Sequence, residues 1–198
     1  MTDHFCRFGI DRTFGVDADR LERRFHELQL QSHPDRHVGD EETRRDEALQ
    51  ESSDINAAYR TLREPIPRAK HLVELYGYPI SEQKSVPPGL LMTVMEAQEK
   101  IAEFEAAVDH DTKQDAMDEL LAIVEELEGQ REVIDEEREH LARRWDIAMH
   151  PVEAAQLSAK EKEELGRMAQ LISERAYLET LRISVDATRH GKPAFIQH

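Results

Sequence analysis

Apolar residues recur every three or four positions through most of the chain, a pattern typical of amphipathic α-helices. Near the amino terminus, Leu21, Phe25 and Leu28 follow the spacing i, i+4, i+7 and predict a helix over residues 18–32. Asp17 directly precedes this run and suits the N-cap position. The chain should therefore be helical up to residue 32.

A second helical pattern covers residues 41–63. The side chains that can face the first helix are Ala48, Ile55, Ala58, Tyr59 and Leu62. A loop through Gly39 and Asp40 joins the two helices, which are predicted to form an antiparallel hairpin. Pro65 and Pro67 then open a shorter helix that ends at Gly77.

The tripeptide His33-Pro34-Asp35 interrupts the helical pattern at the tip of this hairpin. Proline fixes its own φ, lacks a backbone N–H and pushes the preceding residue out of the α region, so the first helix should end at Ser32. An imidazole and a carboxylate then flank a rigid ring, where they could meet a partner. The alternative is an ordinary helix-breaking turn.

Three arginines form a small basic face on the first helix. Arg20, Arg23 and Arg24 fall away from the apolar stripe and lead toward His33, and Arg36 follows the tripeptide. Exposed ion pairs contribute only ~0.2–1 kcal/mol each, so such a face suits weak, reversible docking. The alternative is a solvated face stabilised by an acidic neighbour.

The stretch from residue 77 to 89 is rich in Pro, Gly and Ser and has no helical period, which predicts a domain junction. We therefore divide the chain into an amino-terminal helical domain (1–77), a linker (78–89) and a carboxy-terminal helical bundle (90–198). The bundle should contain helices over 90–108, 115–148 and 159–187. Ser158 and Glu161 have the spacing of a capping box for the last one. The predicted fold class is all-α.

The first helix of the bundle carries two apolar faces. Its seam consists of Leu90, Val94, Ala97, Ile101, Phe104 and Val108. Leu91, Met92 and Met95 lie roughly opposite at ~100° per residue, and they are edged by Glu96 and Glu99. A patch of this kind often marks a protein interaction site, unless a neighbouring helix buries it.

The last helix carries Tyr177 on the flank of its apolar stripe, where it could border this patch or serve as a half-buried packing residue. The chain also contains one cysteine, Cys6, which cannot form an internal disulfide and is expected to be a small core residue.

The net charge of −16 argues against nucleic acid or an anionic membrane surface as a partner. No apolar run reaches the ~18 residues of a transmembrane helix, and no signal peptide opens the chain, so we expect a cytoplasmic protein. His110-Asp111 is interpreted as a turn, and Pro34 breaks the helix that would align His33 with His37 on a metal. We expect no catalytic site, no metal and no cofactor.

The order of short helix, basic helix, His-Pro-Asp loop, long helix and closing helix resembles a J-domain. The run INAAYRTLREP at 55–65, continued by Arg68-Ala69 and by LVELYG at 72–77, is similar to the HscB family of co-chaperones in iron–sulfur cluster biogenesis. The family's eukaryotic members carry an added Cys-x-x-C module that this chain lacks, so the resemblance is to the bacterial type.

The resemblance implies two partners and no active site in this chain. The loop and its basic neighbours would dock on the ATPase domain of the chaperone HscA and accelerate ATP hydrolysis, while the bundle would bind the scaffold protein IscU. The scaffold-binding positions would be Leu91, Met92, Met95, Glu96, Glu99 and Tyr177. Leucine is usual at the position of Met95, and phenylalanine at that of Tyr177. A structural helical adaptor and a J-domain co-chaperone with another client are the alternatives.

Overall fold

A computed structural model of the chain describes residues 2–32, 42–80, 86–148 and 154–190. These residues form α1 (His4–Phe8), α2 (Ala18–Ser32), α3 (Glu42–Arg63), α4 (Pro65–Leu75), α5 (Leu91–Ala106), α6 (His110–Ile147) and α7 (Ala159–Arg189). Short 3-10 turns cover Pro88–Leu90 and Ala154–Gln156, and none of the described residues lies in a strand. The predicted all-α class is confirmed.

By their contacts the helices separate into two compact units. The first comprises Met1–Pro79 together with Leu141–Gly166, and the second comprises Ile80–His140 together with Arg167–His198. Residues 141–166 thus group with the amino-terminal part of the chain. The division of the chain into a domain (1–77), a linker (78–89) and a bundle (90–198) remains a prediction.

The first unit opens with the short helix α1. Asp3 caps it by accepting a hydrogen bond from the Cys6 amide at 3.1 Å, and Gly9 ends it with φ 61°, a conformation that glycine adopts without strain. Phe5 and Phe8 point inward, and both are fully buried. Cys6 is exposed, so its predicted place in the core is wrong, because the two phenylalanines occupy the inner face of the helix.

The hairpin of α2 and α3 forms as predicted. Asp17 caps α2 through the Arg20 amide at 2.9 Å, and α2 ends at Ser32. Phe25 and Tyr59 stack with ring centroids 4.2 Å apart. The apolar side chains buried in this hairpin are Leu21, Ala48, Ile55, Ala58 and Leu62. These apolar contacts hold α2 against α3.

Arg68 on α4 joins three segments of the first unit. Its guanidinium is buried and donates to the carbonyls of Phe14 and Leu62, each at 2.6 Å, and to that of Arg63 at 3.3 Å. The last carbonyls of a helix lack partners within the helix and carry partial negative charge. A buried cation at this point therefore caps α3 and fixes the corner between α3 and α4.

Residues of the carboxy-terminal end of α6 complete the first unit. Trp145 is 1% exposed and makes edge contacts with Phe14 and Tyr76, at centroid distances of 5.9 and 5.5 Å. The Asp146 carboxylate accepts from the amides of Phe14 at 2.7 Å and Gly15 at 2.6 Å. These contacts explain why residues 141–166 belong to this unit.

His71 on α4 packs face to face against His4 on α1, with ring centroids 4.2 Å apart. Its Nε2 accepts a hydrogen bond from the His4 backbone amide at 3.1 Å, which requires that nitrogen to be unprotonated. Burial lowers the pKa of His71 from 6.5 to about 4, and the neighbouring His4 acts in the same direction. The contact between α1 and α4 thus depends on a neutral ring.

We therefore expect the free energy of unfolding to fall as the pH drops from about 6.5 to about 4. In that range the unfolded chain binds a proton at His71 that the folded chain excludes. His71→Gln should remove on the order of 1 kcal/mol of this dependence between pH 7 and 4.5. Urea unfolding at stepped pH measures it. An identical pH dependence in the variant and the original protein would contradict the assignment.

The second unit is built from α5, most of α6 and most of α7. Val94, Ala97, Ile101 and Phe104 are buried, as predicted. The buried residues of α6 in this unit are Ala116, Leu120, Ile123, Leu127 and Ile134, and those of α7 include Met168, Leu171, Leu178, Leu181 and Val185. Met117 and Val124 on α6 are half-buried.

Two details of the sequence prediction at the α5–α6 connection are wrong. Val108 is 98% exposed, because α5 ends at Ala106 before the seam would reach it. His110 and Asp111 do not form a loop between helices, because both belong to the first turn of α6. Asp109 caps this helix by accepting a hydrogen bond from the Thr112 amide at 2.9 Å. The capping box at the start of α7 is confirmed, with Ser158 N–H donating to Glu161 at 2.7 Å.

Candidate functional site

The centre of the first candidate site lies outside the described residues. His33, Pro34, Asp35 and Arg36 belong to the segment between α2, which ends at Ser32, and α3, which begins at Glu42. The described part of the candidate site is therefore the surface of α2 that precedes this segment.

Two of the three predicted docking arginines on α2 contact the end of α1. Arg20 Nη2 donates to the Gly9 carbonyl at 3.1 Å, and Arg24 Nε donates to the Phe8 carbonyl at 3.0 Å. Arg24 also pairs with Glu27. These contacts place positive charge at a helix carboxy terminus, where it is favourable. Arg23 is exposed and makes no hydrogen bond or ion pair with another described residue.

Leu30 is an exposed apolar residue on the same helix that the sequence analysis missed. Its side chain is 65% exposed, three residues before His33. At ~100° per residue it lies roughly opposite the buried stripe that contains Leu21. The signal for it in the sequence is a single apolar residue on the polar side of the helix.

The second candidate site lies on α5. Leu91 is 48% exposed, Met92 is 77% exposed and Met95 is 57% exposed, and we call these three residues the α5 patch. On the same helix Val94 is 2% exposed and Ala97 is fully buried, so α5 has one packed face and one free face. No described helix covers the α5 patch.

Carboxylates border the α5 patch on the side away from the core. Glu96 and Glu99 are both exposed. Lys100, one residue further on, is paired with Glu103 and with Glu119 on α6, each at 2.8 Å, so it does not neutralise them. A partner that covers the α5 patch would thus meet an apolar centre with a negative rim.

Contacts between the helices show where Tyr177 lies along the axis of the second unit relative to the α5 patch. Gln130 on α6 donates to Thr93 on α5 at 3.2 Å, and Arg131 pairs with Glu179 on α7 at 3.9 Å. Thr93 and Glu179 therefore lie at the same height in the second unit. Tyr177 is about 3 Å from that height along α7, by the rise of 1.5 Å per residue.

Tyr177 is half-buried, and burial raises the pKa of its phenol above 10.0. The phenol therefore stays protonated at neutral pH and can donate a hydrogen bond. Tyr177 and the α5 patch lie at the same end of the second unit, and the role of Tyr177 in client binding stays a prediction.

Among the described residues, no group of three His, Cys, Asp or Glu side chains is arranged to hold a metal ion. None of the described helices combines the length and apolar character needed to cross a bilayer.

Comparison with known proteins assigns the family. No family model matches the chain. The curated co-chaperone protein HscB homolog of Ralstonia nicotianae is 37% identical over 123 residues, which cover 61% of this chain and 68% of that protein. The chain belongs to the HscB family of co-chaperones.

Solved HscB structures share the fold. Chaperone HscB from Vibrio cholerae aligns with a TM-score of 0.57 and 24% identity, covering 96% of this chain and 99% of its own. Human co-chaperone HscB aligns with a TM-score of 0.60 and 20% identity, covering 96% and 83%. The fold is that of HscB, an amino-terminal J-domain and a carboxy-terminal three-helix bundle.

Proposed function

We propose that this protein binds the iron–sulfur scaffold IscU, delivers it to the chaperone HscA and accelerates ATP hydrolysis by that chaperone. The observation that carries the proposal is the exposure of Leu91, Met92 and Met95 on a helix whose opposite face is buried. In a member of the HscB family this free apolar face is the natural surface for a client protein.

The chemistry of the α5 patch fits a protein partner. Full burial of a Leu or Met side chain is worth ~1.5–3 kcal/mol, so three side chains can supply much of a moderate affinity. Methionine adapts to irregular surfaces because its side chain is unbranched and polarizable. Glu96 and Glu99 favour basic residues at the edge of the client surface and disfavour acidic ones.

HscA would dock on a different surface, which lies on α2 and contains a basic residue instead of carboxylates. Arg23 and Leu30 are exposed on α2, which leads directly into the His33-Pro34-Asp35 segment. Exposed ion pairs are weak, and one exposed leucine adds little area, so docking through this surface would be readily reversible. A co-chaperone that must leave after hydrolysis needs this property. We propose the cytoplasm as its place of action.

A steady-state ATPase assay of HscA tests the proposal in four arms: HscA alone, with this protein, with IscU, and with both. We expect stimulation by this protein and a further, more than additive increase with both proteins, because delivery couples the two sites. Stimulation without an effect of IscU would indicate another client. No response in any arm would favour the structural helical adaptor.

A further inference from the structure

A cavity of about 300 Å³ opens in the second unit, at the end far from the α5 patch. Phe104, His110, Lys113, Gln114, Met117 and Arg189 line it. Phe104 is 13 positions after Leu91 on α5, which is roughly 20 Å along the helix axis. The cavity is thus separate from the proposed client surface, and the proposed function makes no use of it.

The lining of this cavity has an unusual charge for this protein. The chain has a net charge of −16, yet none of the six lining residues is acidic and two of them, Lys113 and Arg189, are basic. Lys113 Nζ lies 5.1 Å from the centroid of the Phe104 ring, a cation–π contact that holds the ammonium beside the cavity. Cationic side chains collected in a concave wall favour an anion there.

The positive charge of Arg189 is only partly neutralised by the nearby carboxylate of Asp186. Its Nη1 donates to Asp186 at 3.0 Å, but Asp186 also accepts from Arg182 at 2.8 Å. The Arg189 Nε is buried and has no acceptor among the described residues. The amino terminus of α6 contributes little, because Asp109 already accepts from the Thr112 amide. The positive character of the cavity therefore rests on Lys113 and Arg189.

The other walls of the cavity are apolar. Phe104 is 6% exposed, so its ring is a fixed wall, and Met117 is half-buried beside it. Pockets that bind small molecules are commonly concave and about this size, with apolar walls and a few convergent polar groups. Gln114 Nε2 already donates to Asp118 at 3.0 Å, so its amide can offer a ligand one further N–H and its carbonyl oxygen.

We propose that this cavity binds a small organic anion, a phosphate or carboxylate carried on an apolar ring or short chain. The anionic group pairs with Lys113 and Arg189, and the apolar body lies against Phe104 and Met117. The site would be a ligand site of the bundle, independent of client binding on α5.

Titration of the full-length protein with phenyl phosphate, followed by backbone amide NMR, tests this proposal. We expect saturable shifts confined to the regions around residues 104–117 and 186–189. Phenol shares the ring but lacks the charge, and inorganic phosphate shares the charge but lacks the ring. Each should bind at least about tenfold more weakly, because each loses one half of the contact.

Lys113→Met combined with Arg189→Met should weaken phenyl phosphate binding at least about tenfold. Lys160→Met removes an exposed lysine of the first turn of α7, outside the cavity, and should change nothing. Equal binding of phenol and phenyl phosphate, or undiminished binding by the double variant, would overturn the proposal. So would shifts spread over all basic surface residues without saturation. The relative affinities of phenyl phosphate, phenol and inorganic phosphate test the proposal on the original protein, so the test does not depend on the folding of the double variant.

Discussion

Replacing His33 with Gln should give a folded protein that no longer stimulates the ATPase of HscA. The buried apolar residues described for the hairpin are Leu21, Ala48, Ile55, Ala58 and Leu62, so we expect its packing to survive the change. Glutamine keeps a polar side chain but loses the imidazole with its two ring nitrogens. Loss of one hydrogen bond to a charged group costs ~1.5–3 kcal/mol, so stimulation should fall about tenfold or more.

Circular dichroism and thermal melting of His33→Gln should match those of the original protein. His140→Gln is the matched control, because His140 is an exposed histidine on α6 in the second unit. It should retain full stimulation. Full stimulation by His33→Gln would show that the loop is not the trigger of hydrolysis.

Much of the fold could be predicted because the buried stripes are long and regular. In α7, Leu165, Met168, Leu171, Leu178 and Leu181 recur at intervals of three and seven residues, which predicts a continuous buried stripe, and all five are buried. The errors fall where the period is interrupted. The sequence gives no apolar signal over residues 110–114, so the first turn of α6 was missed, although Asp109 caps it.

The attachment of residues 141–166 to the first unit could not be predicted at all. Trp145 and Leu141 fit the apolar stripe of α6 equally well whichever residues they pack against. The decisive contacts join residues more than 130 positions apart, such as the Asp146 carboxylate and the Phe14 amide at 2.7 Å. A periodicity shows which face of a helix is buried, but it does not identify what buries that face.

For the candidate sites, too, the sequence predicts the face of a helix on which a residue lies but not its tertiary contacts. Helical geometry correctly separated Leu91, Met92 and Met95 from the buried seam of α5, because their angular positions follow from the sequence alone. It could not distinguish Arg23 from Arg20 and Arg24. The latter two reach carbonyls at the end of α1, and the position of α1 is a tertiary property.

Changing Leu91, Met92 and Met95 together to Ser should abolish binding of IscU with little loss of helicity. The three side chains are 48%, 77% and 57% exposed, so the folded protein gains little from them. A partner that buries them gains up to ~1.5–3 kcal/mol from each, so affinity should fall at least about a hundredfold. Calorimetric titration with IscU measures the affinity, and thermal melting measures the stability.

Two single variants provide the controls for this experiment. Val133→Ser alters an exposed apolar residue on α6, 65% exposed, and should change neither binding nor melting. Val94→Ser alters the buried face of α5, where the residue is 2% exposed, and should lower the melting temperature while the folded fraction still binds. If the triple variant behaves like Val94→Ser, the three residues stabilise the bundle and the client surface lies elsewhere. If it melts normally and fails to bind, the free face of α5 is the surface that receives the client.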